Sequence, residues 1–190
     1  LVVLGGSMSC QDDAEAPWLA PTRQLISRTV RAGTPFLGIC LGHQLATVAL
    51  GGQVCTSDHF CLGAAEMHLT PEGKKDPLLS VYDGHRGIHF NNDVAVVLPE
   101  DAVLLARDPT GQIEAVRFAE RAWGVQFHPE CTPEIFDAWT IGHGEKEWQQ
   151  RLPWSEAVTV AETVRRDIDT VNAEEAFAAR FQELIDPEKR

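Results

Sequence analysis

The chain has 190 residues, 44% of them hydrophobic and 23% charged, which predicts one domain with a substantial core. No run of about 18 apolar residues predicts a membrane span, and no signal peptide is expected. The net charge of −12 leaves no basic patch for phosphates, so a nucleic-acid partner is not expected. Five cysteines, an odd number without a repeating pattern, argue against a disulfide scaffold and predict a reducing, cytoplasmic compartment.

The chain starts with a pattern of strand, helix and strand. Residues 1–4 are apolar and predict a parallel strand buried on both faces. Gly5 and Gly6 follow, where the backbone can approach a ligand, although any strand-to-helix turn has similar needs. Apolar residues at helical spacing predict a helix over 17–31, before a buried strand at 35–39. This order predicts a parallel unit with its site at the carboxyl ends of the strands.

Cys40 follows that second strand directly and precedes a predicted helix at 41–50. Gly38 and Gly42 flank it, as in a nucleophile elbow, where small neighbours permit a sharp turn. The start of a helix stabilises an anionic thiolate, and its N–H groups can face an oxyanion. A buried structural cysteine is the common alternative, and this stretch alone leaves both interpretations open.

The middle of the chain predicts an added antiparallel segment and no metal site. Cys55, His59 and Cys61 lie close in sequence, but their spacing is not a usual zinc pattern. Residues 64–69 predict one strand of a small antiparallel addition. His89 follows in a segment interpreted as a surface loop.

A second apolar strand ends in a histidine and a glutamate. It is predicted over 122–127, after a hairpin formed by residues 103–107 and 113–118. His128 and Glu130 are two residues apart in an extended segment, so both face one site. The glutamate can hold the imidazole in one tautomer, and the imidazole can accept a thiol proton.

Two motifs carry a resemblance to a known family: G-I-C-L-G-H-Q at residues 38–44 and G-V-Q-F-H-P-E at residues 124–130. They resemble the class I (triad) glutamine amidotransferases, and the chain is most similar to free-standing proteins related to the glutaminase domain of GMP synthase. The resemblance implies an α/β, flavodoxin-like fold. Its central sheet is mostly parallel and flanked by helices, with a small antiparallel addition and C-terminal helices.

The resemblance also implies a domain organisation. We expect one glutamine amidotransferase domain over residues 1–190. Its family core covers 1–142 and is expected to lack an N-terminal strand and helix. A helix predicted over 132–141 closes this core. Residues 143–190 form a predicted helical extension, with amphipathic helices over 155–171 and 173–185.

The site residues carry over from the family position by position. The resemblance implies that Cys40 is the nucleophile, His128 the general base and acid, and Glu130 the residue that orients His128. The implied oxyanion donors are Gly6 and Leu41, and the implied substrate-binding residues are Gly5, Gln44 and Asn91. Asn91 stands where relatives often have the histidine of a His-x-Asp motif, and this departure puts synthase-partner behaviour in question. His43 is interpreted as packing, and Cys131 has no assigned role.

Three functions stay open at this stage. The first is a glutamine amidotransferase subunit that hydrolyses glutamine and passes ammonia to a separate synthase. The second is a stand-alone hydrolase of γ-glutamyl amides or peptides, and the third is a non-catalytic interaction module. The complete set of cysteine, histidine and glutamate argues against the third. No G-x-x-x-x-G-K-S/T phosphate-binding motif is present, so no cofactor is expected, and the first function is slightly favoured.

Overall fold

The computed structural model describes residues 1–140, 153–171 and 173–186, which form an α/β fold. The strands in these ranges are β1 (Val2–Val3), β2 (Phe36–Ile39), β3 (Gln53–Glu66), β4 (His68–Leu69), β5 (Arg86–Val97), β6 (Val103–Arg107), β7 (Ile113–Ala119) and β8 (Ala122–Val125). The α-helices are α1 (Leu19–Arg31), α2 (Leu41–Ala49), α3 (Pro133–Thr140), α4 (Trp154–Val171) and α5 (Glu174–Ile185). None of the helices described is long and apolar enough to cross a membrane.

The central sheet has the strand order β1-β2-β8-β7-β6-β4. Strands β1, β2 and β8 pair in parallel, and the pairs β8–β7, β7–β6 and β6–β4 are antiparallel. Because β6 reverses the direction of β7, it runs the same way as β1, β2 and β8. The sheet is therefore mixed with mostly parallel strands, which confirms the predicted fold class.

The two faces of the sheet bury different helices because neighbouring residues of a strand point to opposite faces. Phe36 packs with Leu19 and Leu45, so α1 and α2 cover one face. Leu37 packs with Phe177 and Trp123, so α5 covers the other face. The apolar run that predicted β2 is thus buried on both sides, as expected of a central parallel strand.

The predicted antiparallel addition is a ribbon formed by β3 and β5. The prediction of one strand over residues 64–69 is wrong in its bounds, because this stretch is shared between two sheets. Strand β3 ends at Glu66, and β4 pairs with β6 at the edge of the main sheet. Met67 is the one residue between β3 and β4, and its side chain is buried in the core. The chain passes from the ribbon to the main sheet at this residue.

Strand β1 is also different from its prediction. It contains only two residues, and Leu1, Val2 and Leu4 are each more than 40% exposed. In the part of the chain that the structure describes, β1 is an edge strand that pairs with β2 alone. An apolar run therefore predicted the strand correctly but not its burial.

The predicted helices are found with small shifts at their ends. Helix α1 starts at Leu19, two residues after the predicted start, and the two C-terminal helices α4 and α5 are present as expected. The hydroxyl of Thr132 accepts a hydrogen bond from the N–H of Ile135 at 3.3 Å, as the predicted N-cap of α3 requires. The predicted end of this helix at residue 141 and the start of the extension at residues 143–152 lie outside the described residues.

Candidate active site

Cys40 occupies a strained turn between β2 and α2. Its φ of +51° is in the left-handed region, and no other non-glycine residue described has a positive φ. The N–H of Cys40 donates to the carbonyl of Val125 at 2.8 Å, and its carbonyl accepts from the N–H of Gln44 at 3.0 Å. Such a conformation costs on the order of 1–3 kcal/mol and persists only where the surroundings enforce it. Here the neighbouring strand and the first turn of the helix hold it.

The two glycines that flank Cys40 are required by close backbone packing. A Cβ atom on Gly38 would lie 2.5 Å from the carbonyl oxygen of Gly42. A Cβ atom on Gly42 would lie 2.1 Å from the carbonyl oxygen of Val3, in β1. Both distances are far below van der Waals contact, so the turn admits only glycine at these positions. The sequence pattern that predicted an elbow thus has a direct steric cause.

His128 follows β8 and is held by the ribbon and by Glu130. The N–H of His128 donates to the carbonyl of Ile88, in β5, at 2.8 Å. Its Nδ1 lies 2.7 Å from Oε1 of Glu130, and the His128 side chain is only 5% exposed. A proton on Nδ1 donates to the carboxylate, which fixes the tautomer and leaves Nε2 for other chemistry. This Nε2 atom is buried and is the ring nitrogen left to interact with the Cys40 thiol.

Cys40 and His128 are neighbours across the loop that follows β1. A Cβ atom on Gly5 would lie 2.9 Å from Cε1 of His128 and 3.5 Å from Cβ of Cys40. Burial lowers the pKa of His128, but interactions with the Cys40 thiol and the Glu130 carboxylate outweigh it and raise the pKa to about 9. The raised pKa favours an imidazolium that carries the proton released by the Cys40 thiol.

A polar cavity of about 250 Å³ opens at Cys40. Its lining includes Gly6, Ser9, Gln44, Thr56, Asn91 and Asp93. The Asp93 carboxylate accepts hydrogen bonds from the hydroxyls of Ser9 at 2.5 Å and Thr56 at 2.9 Å. None of the cations described forms an ion pair with Asp93, although only 8% of this residue is exposed. The cavity therefore presents a buried negative charge without a compensating side chain.

Two of the three residues expected to bind substrate, Gln44 and Asn91, line this cavity, and their side-chain amides already make hydrogen bonds within the protein. The third, Gly5, lines a different cavity at Cys40. Nε2 of Gln44 donates to the carbonyl of Asp93 at 2.9 Å and to Oε1 of Gln126 at 3.3 Å. Nδ2 of Asn91 donates to the same carbonyl at 3.3 Å, whereas its Oδ1 is buried and has no partner among the residues described. Their roles toward a substrate stay predictions.

Gly6 and Leu41, the expected oxyanion donors, belong to segments that are in contact. A Cβ atom on Gly6 would be 2.8 Å from Cδ2 of Leu41, so the loop after β1 passes directly over the start of α2. The first N–H groups of a helix have no partner within the helix. The N–H of Leu41 is one of these, and the role of Leu41 and Gly6 as oxyanion donors stays a prediction.

A second cavity, of about 430 Å³, also reaches Cys40, and its lining includes the apolar side chains of Leu4, Phe90, Ile135 and Trp139. The ring of Trp139 lies 4.5 Å from that of His128, measured between centroids. Phe90 lies 5.8 Å from Trp139, and Phe60 lies 5.4 Å from Phe90. This aromatic wall joins α3 to the β3–β5 ribbon, and sequence patterns alone did not indicate it.

Two histidines outside the site have contrasting environments. His43 is fully buried with its ring 5.9 Å from that of Phe118, and burial lowers its pKa to about 4, in agreement with a packing role. The interpretation of His89 as a surface residue is wrong. Its Nε2 lies 2.6 Å from Oε2 of Glu114, its Nδ1 lies 3.0 Å from the carbonyl of Gly87, and both side chains of the pair are buried. Burial lowers the pKa of His89, but Glu114 reverses this effect and raises it.

The other cysteines and histidines form no metal centre in the described ranges, where no cluster of three or more ligands occurs. Cys61 instead contacts the side-chain oxygen of Gln112, at 3.6 Å. None of the five cysteines, all of which are described, forms a disulfide, and Cys131 is buried outside the turn at Cys40.

Comparisons with known proteins agree with this fold. The sequence profile of the class-I glutamine amidotransferases matches residues 1–142. The glutamine amidotransferase-like protein YfeJ of Salmonella typhimurium is 32% identical over 151 residues, which cover 77% of this chain and 62% of that protein. A subunit of the glutamine-hydrolysing GMP synthase of Methanothermobacter thermautotrophicus is 34% identical over 101 residues, covering 50% of this chain and 51% of that protein.

A solved structure of a glutamine amidotransferase from Thermotoga maritima superposes with a TM-score of 0.79 at 21% identity. The superposition covers 97% of this chain and 78% of that protein, and it shows a shared fold.

The chain belongs to the class-I glutamine amidotransferase family. It spans about half to two thirds of the length of the two curated relatives described above.

Proposed function

We propose that this protein hydrolyses the side-chain amide of glutamine to glutamate and ammonia through a thioester on Cys40. One observation carries the proposal: a strained cysteine at a helix N-terminus lies beside a buried histidine whose other nitrogen is bound to a glutamate. Covalent amide hydrolysis requires a nucleophile, a base and a group that orients the base.

In the first half of the reaction, the Cys40 sulfur attacks the amide carbon while His128 holds the thiol proton. The N–H groups of Gly6 and Leu41 receive the oxyanion, and each such donor contributes about 3 kcal/mol to transition-state stabilisation. His128 then gives its proton to the amide nitrogen, the C–N bond breaks, and ammonia leaves. A γ-glutamyl thioester remains on Cys40.

In the second half, His128 accepts a proton from water as the water oxygen attacks the thioester carbon. The C–S bond breaks, glutamate forms, and the proton returns to the sulfur. Glu130 stabilises the imidazolium in both halves, because its carboxylate lies 2.7 Å from Nδ1.

The polar cavity supports glutamine as the substrate. Asp93 supplies a buried negative charge for the α-ammonium group of the amino acid. The unpartnered Oδ1 of Asn91 is an acceptor at the same cavity, and a bound ammonium or amide N–H would satisfy it. The cavity volume of about 250 Å³ is enough for one small amino acid.

We further propose that the ammonia passes to a separate synthase. One relative is by name a subunit of a glutamine-hydrolysing GMP synthase, which supports this proposal. A stand-alone γ-glutamyl amide hydrolase is the second candidate. The large apolar cavity at Cys40 favours it, because ammonia alone does not need that space.

The test is glutamate release from glutamine by the purified protein, compared with Cys40→Ala and with Cys131→Ala as a matched control. We expect Cys40→Ala to abolish release and Cys131→Ala to retain it, since Cys131 lies outside the elbow. Release that is independent of Cys40 would contradict the proposal. A synthase that raises the rate when added would identify the ammonia acceptor.

A further inference from the structure

The apolar cavity at Cys40 has no assigned role in glutamine hydrolysis. It measures about 430 Å³, whereas a water-sized molecule such as ammonia occupies roughly 30 Å³. Its side-chain lining is formed by Leu4, Ser7, Cys40, Phe90, His128, Glu130, Ile135 and Trp139. A cavity of this size and composition suits an apolar group much larger than ammonia.

The position of His128 assigns this cavity to the leaving group. His128 lines the apolar cavity and is absent from the lining of the polar one, and the two cavities meet at Cys40. The residue that protonates the departing nitrogen must lie on the side to which that nitrogen leaves. The glutamyl half of the substrate then lies toward Asp93, and the amine half lies toward Trp139.

The charge of the cavity restricts the amine further. Among the described residues, no lysine or arginine lines it, and Glu130 contributes a carboxylate. The one cation among the described lining residues, the His128 imidazolium, is already paired with the Glu130 carboxylate. A leaving group with its own carboxylate, as in a γ-glutamyl peptide, would therefore find no free cation to pair it. The cavity therefore favours a neutral, apolar substituent over an amino acid.

We propose that this protein cleaves γ-glutamyl amides whose leaving amine carries a neutral, phenyl-sized apolar substituent, which the cavity between His128 and Trp139 binds. This inference rests on the proposed thioester chemistry at Cys40. The step is the same as for glutamine: the C–N bond breaks, the thioester forms, and His128 delivers the proton to the departing amine. Water then releases glutamate, so no further reactant is needed.

The test compares kcat/KM for four substrates that share the glutamyl half: glutamine, γ-glutamyl ethylamide, γ-glutamyl phenethylamide and γ-glutamylphenylalanine. We expect the phenethylamide to exceed the ethylamide by about tenfold or more, because a phenyl group becomes buried. We expect γ-glutamylphenylalanine, which adds only a carboxylate to the phenethylamide, to be at least about tenfold poorer than it.

A variant of the cavity lining tests whether this cavity causes the preference for the phenethylamide. Ile135→Asp places a charge in the apolar cavity, and we expect it to lower the ratio of phenethylamide to ethylamide kcat/KM by about tenfold. Leu25→Asp, at an exposed site on α1 outside the cavity, is the matched control and should keep the ratio. Thermal unfolding of both variants checks that each protein is folded.

The outcomes separate this inference from the proposed function. If the protein hydrolyses glutamine but its kcat/KM for the phenethylamide is equal to or lower than that for the ethylamide, the inference is overturned. The glutaminase proposal then stays intact. If folded Ile135→Asp keeps the ratio of phenethylamide to ethylamide kcat/KM, the amine does not bind in the apolar cavity, and this part of the inference is overturned. Failure to hydrolyse all four amides would overturn the proposed function and the inference together.

Discussion

Replacement of Glu130 by glutamine is expected to shift the pH dependence of catalysis. The substitution keeps an oxygen that can accept from Nδ1 of His128 but removes the negative charge, which lies 2.7 Å away. A hydrogen bond to a charged group contributes roughly 1.5–3 kcal/mol, and each pKa unit corresponds to about 1.4 kcal/mol. The pKa of His128 should therefore fall from about 9 by roughly one to two units.

The assay is the pH profile of kcat/KM for glutamine. In the unmodified protein, activity should decline as pH rises through about 9, because His128 loses the proton that the leaving nitrogen needs. In Glu130→Gln this alkaline decline should begin roughly one to two pH units lower. Glu134→Gln, which removes an exposed carboxylate at the start of α3, is the matched control and should keep the original profile.

NMR titration of the His128 ring in both variants gives an independent reading of the same pKa. A Glu130→Gln profile that coincides with that of the unmodified protein would refute the assignment of Glu130 as the group that stabilises the imidazolium.

Three further predictions concern stability. Gly42→Ala places a Cβ atom 2.1 Å from the Val3 carbonyl oxygen and should lower the free energy of unfolding by roughly 3 kcal/mol in urea titrations; a loss below about 0.5 kcal/mol would contradict the packing of the elbow. Glu114→Gln leaves His89 buried without its carboxylate and should cost roughly 3–5 kcal/mol, whereas the exposed Glu100→Gln should change little; equal effects would contradict the buried pair. His128 has a pKa raised from 6.5 to about 9, so its stabilising contribution is complete below pH 6.5 and is lost as pH rises through about 9. This contribution to the free energy of unfolding is up to roughly 3 kcal/mol. The pH–stability curve of His128→Gln should lack it.

The parts of the fold and the site that depend on short stretches of sequence could be predicted. Strand β2, the turn at Cys40 and helix α2 follow one another within residues 36–49, and the two flanking glycines mark the sharp turn. The pair of His128 and Glu130 could be predicted because the two residues are close in sequence, but the predicted reason was wrong. Strand β8 ends at Val125, two residues before its predicted end, and Glu130 lies in a turn and not in an extended segment.

The parts that depend on contacts between distant segments could not be predicted. Asp93 is held by hydroxyls that lie 84 and 37 residues away, and no local pattern announces these partners. The pair of His89 and Glu114 joins residues 25 positions apart, so a histidine that looked like a loop residue is buried. The exposure of β1 depends on what lies beside it in the sheet, which the apolar residues 1–4 cannot specify.

The central claim is that Cys40 forms a covalent thioester with the glutamyl group. The most direct measurement is to quench the enzyme with acid during turnover of glutamine, digest it, and locate the glutamyl adduct among the five cysteines by mass spectrometry. We predict an adduct on the peptide that contains Cys40 and none on the peptide that contains Cys131. An adduct on another cysteine, or continued hydrolysis by Cys40→Ala, would contradict the account.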